Sequence, residues 1–290
     1  MVSLSPWVQG ARPKTLPAAV VPVVVGTACV VGDGVIWWRA ACAMIVAVAL
    51  QIGTNFANDY SDGVRGTDDD RTGPLRLVAS GVASPTSVKR AAQLSFGIAG
   101  LFGTAVSIAV GPELLVVGVL SVAAGWLYTG GPKPYGYYGW GEVFVFVFFG
   151  LVATIGSAYV QHREILGVAV IAAVPVGLLA TALLIINNLR DIPSDAATGK
   201  NTLAVRMGDR NTRIFYTATI ALSFVGVVAV GSTYRPWASI ALGGLVLTPA
   251  PVRVVASGAT GASLISVLGA TGRLQLVTGL LLATGIALSG

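Results

Sequence analysis

Two short strings of asparagine and aspartate have the composition of a site for a divalent cation. The first reads Asn-Phe-Ala-Asn-Asp-Tyr-Ser-Asp over residues 55–62, and the second reads Asn-Asn-Leu-Arg-Asp-Ile-Pro-Ser-Asp over residues 187–195. Residues three and four apart share one face of a helix, so each string can bring several of its oxygens together. Carboxylate and amide oxygens suit Mg²⁺, which keeps several waters and usually completes its shell with substrate phosphates. The two strings therefore predict a magnesium site.

Basic residues near both strings have the chemistry to bind phosphate. Guanidinium groups match pairs of phosphate oxygens, and lysines act as point charges. The candidates are Arg65, Arg71, Arg76, Lys133, Arg190, Lys200 and Arg206. Any one of them could equally be a topology anchor, but their combination with two acid clusters favours a metal-bridged diphosphate site with a buried aliphatic tail between helices.

Other chemistries are poorly supported by the composition. The single histidine, His162, is predicted to lie on the opposite side from the acids, which argues against zinc chemistry and a histidine general base. Cys29 and Cys42 each fall inside an apolar stretch, where burial is a simpler explanation than a disulfide or metal ligation. The net charge of +6 could indicate nucleic acid, but no soluble basic domain exists to carry it.

The elements that must position these residues are membrane-spanning helices. The 290 residues are 54% hydrophobic and only 10% charged, with a mean hydropathy of +0.80. Runs without charge that are long enough to cross a bilayer predict nine helices, at 15–32, 40–58, 91–112, 114–132, 143–162, 165–189, 214–234, 236–252 and 274–290. The run 254–272 is too rich in Gly and Ser to predict a helix. The sequence thus indicates an all-α integral membrane protein with a single transmembrane domain over residues 1–290.

The distribution of positive charge predicts the orientation. When the ends of the nine spans are assigned alternately to two sides, 15 of the 18 Lys and Arg fall on the side of the N-terminus. Positive residues in short loops stay cytoplasmic, so the N-terminus is predicted inside and the C-terminus outside. Two cytoplasmic loops, at about 59–90 and 191–213, then hold most polar residues. Because Pro193 cannot lie comfortably inside a helix, we expect Asp191 at the helix end and Asp195 in the turn beyond it.

Several aromatic residues adjoin the charged strings. Tyr60 and Tyr128 are candidates for the wall of a substrate pocket. The string Tyr-Gly-Tyr-Tyr-Gly-Trp over 135–140 could line the pocket and shield a carbocation, but an interfacial belt is the favoured interpretation. Glu142 would then only complement the N-terminal dipole of the following helix.

In their order along the chain, these motifs resemble the UbiA superfamily of membrane aromatic prenyltransferases, in particular its 1,4-dihydroxy-2-naphthoate polyprenyltransferase branch. The matching segments are Ala-Arg-Pro-Lys-Thr (11–15), Asn-Asp-Tyr-Ser-Asp (58–62), Gly-Thr-Asp (66–68), Arg-Thr-Gly-Pro-Leu-Arg (71–76), Gly-Pro-Lys-Pro-Tyr-Gly (131–136), Gly-Glu (141–142), Val-Phe-Val-Phe-Phe-Gly (145–150), Asn-Asn-Leu-Arg-Asp (187–191) and Gly-Lys-Asn-Thr-Leu-Ala-Val-Arg (199–206). They cover most of the first 215 residues.

The resemblance implies a nine-helix bundle in the bacterial cytoplasmic membrane, with the active site facing the cytoplasm. It implies transfer of a polyprenyl group from polyprenyl diphosphate to 1,4-dihydroxy-2-naphthoate, with loss of CO₂ and diphosphate. The product would be demethylmenaquinone, a step of menaquinone biosynthesis. The implied cofactor is Mg²⁺, two ions, which acts as a Lewis acid on the leaving diphosphate.

The resemblance also implies roles for individual residues. The catalytic acids would be Asp59, Asp62, Asp191 and Asp195, and the metal ligands would be Asn58, Asp62, Asp68, Asn188, Asp191 and Asp195. Gly66 stands where the family's first motif usually ends in Asp, which leaves open whether Asp68 or Asp69 supplies that ligand. For the naphthoate carboxylate, Arg12 or Lys14 is expected, although both could equally be positive-inside anchors.

Two alternatives belong to other classes. The string Asp-Tyr-Ser-Asp-Gly over 59–63 mimics the opening of the CDP-alcohol phosphotransferase motif, but the rest of that motif is missing. An ion-coupled transporter would also pair acids beside broken helices, but near the bilayer midplane rather than at one face.

Overall fold

The structure is a computed structural model that describes residues 5–68, 73 and 75–290. All regular structure in this part of the chain is helical. Its α-helices are α1 (Pro6–Gly10), α2 (Pro17–Ala28), α3 (Trp37–Val64), α4 (Pro85–Val110), α5 (Glu113–Leu127), α6 (Gly141–Val145), α7 (Ala153–His162), α8 (Gly167–Ala197), α9 (Leu203–Thr233), α10 (Pro249–Ala256) and α11 (Ser263–Leu288). A π-helical stretch, Phe146–Val152, joins α6 to α7, and a 3₁₀ segment, Pro236–Leu247, precedes α10. Asp69 and Arg71 lie outside the described residues.

The predicted spans correspond to apolar helical segments, although not all of them are long. Six helices in the described residues have the length and composition to cross a membrane. The 3₁₀ segment Pro236–Leu247 and α10 form a bent pair, which gives a seventh crossing if the two count as one span. The two shorter apolar helices are α2 and α5. The 12 residues of α2 rise only about 18 Å, well short of the bilayer core. The fold is therefore an all-helical membrane bundle with six or seven spans by length.

The helices extend further into the polar strings than the charge-free runs indicated. The expectation that α8 ends near Asp191 was wrong, because the helix continues through Pro193 to Ala197. Proline removes one backbone hydrogen bond and crowds the carbonyl four residues before it, but membrane bundles tolerate such interruptions because neighbouring groups satisfy the freed backbone. Residues 59–64 likewise belong to α3, and α9 begins at Leu203, so the predicted loops 59–90 and 191–213 are shorter than expected.

Close helix contacts place the polar strings at one end of the bundle. α3 packs against α4, α8 packs against α9, and α11 packs against α2 and the 3₁₀ segment. An added Cβ on Gly150 would lie 2.5 Å from the Cα of Gly177, so the π-helical stretch approaches α8 through two glycines. At the opposite end, Arg39 donates to the carbonyls of Val160 and Gln161 and thereby joins the start of α3 to the end of α7.

Candidate active site

One lysine joins the two acid strings. Lys200 Nζ lies 3.2 Å from Asp62 Oδ2 and 3.6 Å from Asp195 Oδ1. Asp62 belongs to α3 and Asp195 to α8, so the C-terminal ends of these two helices meet here. Both acid side chains are buried, with 2% and 5% of their surface exposed. The C-terminal acids of the two strings therefore both contact the ammonium of Lys200.

The turn after α8 brings Lys200 back to the acids. Its backbone N–H donates to the carbonyl of Asp195 at 2.8 Å. The preceding Gly199 has a φ of +73°, in the left-handed region that side chains other than glycine disfavour. The glycine before Lys200 thus has a conformational reason to be there.

Tyr137 completes the surroundings of Asp62. Its hydroxyl donates to Asp62 Oδ1 at 2.9 Å, and the ring centroid lies 5.3 Å from Lys200 Nζ. Burial, followed by the neighbouring Asp62 charge, raises the pKa of the Tyr137 hydroxyl, which therefore stays a proton donor. The interfacial-belt interpretation was wrong for this residue and for Tyr135, which lines the cavity described below. Tyr138 and Trp140 are exposed, as a belt would require.

Asp191 is engaged by its own neighbour. Arg190 donates from Nε and Nη2 to the two carboxylate oxygens of Asp191, at 2.7 and 2.8 Å. Nη2 also donates to Asn187 Oδ1 at 2.8 Å. The next residue of the string, Asn188, donates from its amide to buried Glu142 at 2.9 Å. Glu142 therefore positions a residue of the second string, which the dipole interpretation did not foresee.

Asp59 has a different environment from Asp62. Its two carboxylate oxygens accept the backbone N–H groups of Leu77, at 2.8 Å, and Val78, at 3.0 Å. The Asp59 side chain is fully buried. These contacts hold the segment after residue 75 against α3, which points to a structural role for Asp59 rather than the catalytic one expected from the motif.

Asn58 and two residues that follow the first string hold neighbouring segments. Asn58 Oδ1 accepts a hydrogen bond from Thr129 Oγ1 at 2.8 Å. Asp68 pairs with Arg76, with 3.2 Å between Oδ2 and Nε. Arg65 donates to the carbonyls of Thr129 and Gly131 in the loop after α5. Part of the predicted metal and phosphate set thus also positions the loops around the acids.

A cavity of about 520 Å³ begins beside this cluster and follows the helices toward the other end of the bundle. Its polar end is formed by Arg12, Lys14, Asn55, Asn58, Arg76, Tyr128, Asn187 and Arg190. Its far end is apolar and includes Val106, Leu114 and Val160. On α3 the lining runs from Ala43 to Asn58, which is about 22 Å of helix. Asp62 continues that face one turn beyond Asn58.

Tyr60, Lys133 and Arg206 are among the predicted residues that do not line the cavity. Tyr60 is two positions beyond Asn58 on α3, hence on another face, where its ring stacks on Trp126 with centroids 6.3 Å apart. The expectation that Tyr60 lines the pocket was therefore wrong. Lys133 is exposed in the loop after α5. Arg206 is exposed on α9 and donates to the carbonyl of Asn201.

A polar network at the cavity was missed by the sequence reasoning. Gln51 donates to Thr15 Oγ1 at 3.1 Å and to Asn55 Oδ1 at 3.3 Å, and Asn55 donates to the carbonyl of Ala11 at 2.9 Å. Gln51, Asn55 and Thr15 all line the cavity. The available signal was the spacing of Gln51, Asn55 and Asn58, which puts three amides on one face of an apolar helix.

The carboxylates of Asp62 and Asp195 fit a Mg²⁺ site whose coordination shell is completed by substrate phosphates. Among the residues that the structure describes, no group of three or more Asp, Glu, His or Cys side chains could hold a metal ion. The carboxylates of Asp62 and Asp195 meet at one ammonium, however, and Mg²⁺ is commonly bound by one or two carboxylates together with substrate phosphates. The pair has the composition that the protein's part of such a site requires.

Comparisons with known proteins agree with the fold and with the family resemblance of the sequence. The UbiA prenyltransferase family matches residues 19–262. A relative from Mycobacterium tuberculosis, 1,4-dihydroxy-2-naphthoate octaprenyltransferase, is 48% identical over 99% of this chain and 98% of its own length. The Escherichia coli protein of the same name is 38% identical over 98% of this chain and 95% of its own.

A solved structure shows the same fold. A UbiA homologue from Archaeoglobus fulgidus, bound to GPP and Mg²⁺, matches with a TM-score of 0.68 over 97% of this chain and all of its own, at 13% identity. The chain belongs to the UbiA prenyltransferase family.

Proposed function

We propose that this protein transfers a polyprenyl group from polyprenyl diphosphate to 1,4-dihydroxy-2-naphthoate, with release of diphosphate and CO₂. The observation that carries the proposal is the meeting of Asp62 and Asp195 at Lys200, with Asp62 one helical turn beyond Asn58 in the polar end of a long apolar cavity. A diphosphate group requires the cations, and a prenyl tail requires the apolar walls. The similarity to naphthoate octaprenyltransferases supports the choice of acceptor.

Asp62 and Asp195 would hold Mg²⁺. Asp191, Asn58 and Asn188 on the same strings, and Asp68 after the first string, would be further oxygen donors. When bound, Mg²⁺ supplies Lewis-acid stabilisation of the charge that develops on the leaving diphosphate. The number of ions in this proposal is two. Solved UbiA homologues with Mg²⁺ and GPP or DMAPP bound support the use of the metal.

Basic residues at the polar end of the cavity would bind the diphosphate. Arg190 is already oriented by Asp191 and Asn187, and Lys200 is oriented by the acid pair. Arg76 is buried and lines the cavity, and its Nη1 has no hydrogen-bond partner among the described residues. A buried donor without a hydrogen-bond acceptor carries a desolvation penalty. A bound anion would supply the acceptor and remove that penalty, which favours anion binding.

The cavity wall would stabilise the reacting carbon. When the C1–O bond of the prenyl diphosphate breaks, its electron pair leaves with the diphosphate and C1 becomes cationic. Tyr128, Tyr135 and Phe144 line the cavity near its polar end, and Tyr135 and Phe144 stack with centroids 3.9 Å apart. The negative faces of these rings would attract the carbocation.

The acceptor would lie between these rings and the polar network of α3. The carboxylate of the naphthoate would pair with Arg12 or Lys14, and its hydroxyl groups would face Gln51 and Asn55. The ring carbon that carries the carboxylate attacks C1 of the prenyl group and forms the new carbon–carbon bond. As CO₂ leaves, the electrons of the carbon–carboxylate bond return to the ring. The product is demethylmenaquinone in its reduced form. No strong general base is needed, since decarboxylation releases the electrons.

The proposed topology keeps the nine spans of the sequence interpretation in one domain over residues 1–290. The short helices α2 and α5 then count as spans, and α2 is extended at both ends by 3₁₀ turns, Pro13–Thr15 and Val31–Asp33. The N-terminus would be cytoplasmic and the C-terminus outside, with the acid cluster facing the cytoplasm of a bacterial cell.

The test is prenyl transfer by purified protein in detergent with polyprenyl diphosphate and Mg²⁺. Asp62→Asn and Asp195→Asn should each abolish product formation, whereas Asp33→Asn, at an exposed site near the other end of the bundle, should not. Offering 4-hydroxybenzoate beside 1,4-dihydroxy-2-naphthoate tests the acceptor. Normal turnover by either acid variant, or preference for the benzoate, would contradict the proposal.

A further inference from the structure

The ammonium of Lys200 occupies the position between the two acids where the proposed reaction requires a divalent cation. It lies within 3.6 Å of an oxygen of both Asp62 and Asp195. Its own side chain is only 13% exposed, and the ring of Tyr137 covers one side. This arrangement neutralises carboxylates that would otherwise repel each other across the ends of α3 and α8.

Lys200 and a divalent ion compete for the same oxygens. Two cations held by one carboxylate pair repel each other, and this repulsion is strong at a buried site because the effective dielectric constant is low. The backbone of Lys200 is fixed by the turn after α8, because its N–H donates to the carbonyl of Asp195 at 2.8 Å. The flexible stem of lysine still allows the ammonium to reorient by several ångströms. A diphosphate entering the polar end of the cavity would give it another anionic partner.

We propose that Lys200 is a tethered counter-ion that holds the metal site closed until a diphosphate arrives. Without substrate, the ammonium holds Asp62 and Asp195 together and weakens divalent-ion binding. With diphosphate present, the ammonium transfers to the phosphate oxygens and frees the carboxylates for the metal. Diphosphate and metal then bind with positive coupling, which is reciprocal between the two ligands. This inference rests on the proposed function for the identity of the metal site.

Metal binding without turnover tests the inference. The free concentration of Mn²⁺ in equilibrium dialysis gives the affinity of the full-length protein in detergent, with and without inorganic pyrophosphate. The variants are Lys200→Met, which removes the charge, and Lys200→Arg, which keeps it. The matched control is Lys89→Met, which removes a lysine that lies over the ring of Tyr60.

In the absence of pyrophosphate, Lys200→Met should bind Mn²⁺ at least about tenfold more tightly than the wild type, because the competing charge is gone. Lys200→Arg and Lys89→Met should match the wild type. Pyrophosphate should strengthen Mn²⁺ binding more in the wild type than in Lys200→Met. Equal Mn²⁺ affinities of wild type and Lys200→Met without pyrophosphate would overturn the proposal, as would equal enhancement by pyrophosphate.

Thermal unfolding distinguishes the counter-ion role of Lys200 from a purely structural role. Lys200→Met should unfold at a lower temperature than the wild type without metal, and saturating Mn²⁺ should restore more of its stability than it adds to the wild type. An equal deficit with and without Mn²⁺ would contradict the counter-ion role. If the methionine variant does not fold, Lys200→Gln carries the same test. Failure here leaves prenyl transfer by the wild type untouched, so the two proposals fail independently.

Discussion

The carboxylate of Asp59 accepts the backbone N–H of Leu77 at 2.8 Å, across 18 residues of chain. The other carboxylate oxygen accepts from Val78, so both oxygens hold the segment that also carries Arg76. Asp62, one turn further along α3, instead faces Lys200 and Tyr137. The two acids of this motif therefore make different contacts. Asp59 anchors a segment that lines the cavity, and Asp62 belongs to the charged site.

Asp59→Ala should destabilise the protein, because two buried N–H groups lose their acceptor. Each orphaned donor costs about 1–3 kcal/mol, so a clear fall in the thermal unfolding temperature is expected. Asp62→Asn is the matched comparison, and it should keep most of the stability while losing prenyl transfer. An Asp59→Ala protein as stable as the wild type would refute the anchoring role.

Tyr137→Phe should weaken Mg²⁺ binding at Asp62, because the Tyr137 hydroxyl orients that carboxylate. The substitution removes a hydrogen bond to a carboxylate, and such bonds contribute about 1.5–3 kcal/mol, so the Mg²⁺ concentration for half-maximal rate should rise about tenfold. Tyr138→Phe, at an exposed position in the same string, serves as the control. Unchanged Mg²⁺ dependence in Tyr137→Phe would mean that the hydroxyl does not orient Asp62.

Gly156→Leu should discriminate against long donors. Gly156 lines the cavity, and a Cβ added there meets nothing within 4 Å, so the leucine side chain fits without displacing a helix. The leucine side chain should fill space that a long prenyl tail needs and a short one does not. The kcat/KM should therefore fall about tenfold for octaprenyl diphosphate and far less for geranyl diphosphate. Gly100→Leu, at an exposed and equally open position on α4, is the control. Equal losses for both donors would argue against a tail site at Gly156.

The sequence was sufficient for the helical class and for the pairing of the two strings. Long charge-free runs identify helices because each charge is costly in lipid, and the i, i+4 spacing places Asn58 and Asp62 on one face. Helix bounds were less predictable. Pro193 lies within α8, and the acids extend α3 and α8 beyond the apolar runs, because contacts between side chains outweigh local preferences there.

The roles of individual side chains depended on tertiary contacts that spacing does not encode. Asp59 and Tyr60 follow Asn58 in sequence, but the first binds the backbone of a distant loop and the second stacks on Trp126. Tyr137 bonds Asp62 across 75 residues. The proposed ligand set, including Lys133 in its exposed loop, stays a prediction for the experiments above.

The central claim is that Asp62 and Asp195 form one divalent-ion site with the substrate diphosphate. Anomalous diffraction from Mn²⁺, in crystals of the protein with a non-hydrolysable prenyl diphosphate analogue, locates the ion directly. The account predicts a manganese peak bound by both carboxylates and by diphosphate oxygens, with Lys200 Nζ moved away from at least one of them. A peak bound by neither acid, or a diphosphate bound elsewhere in the bundle, would contradict it.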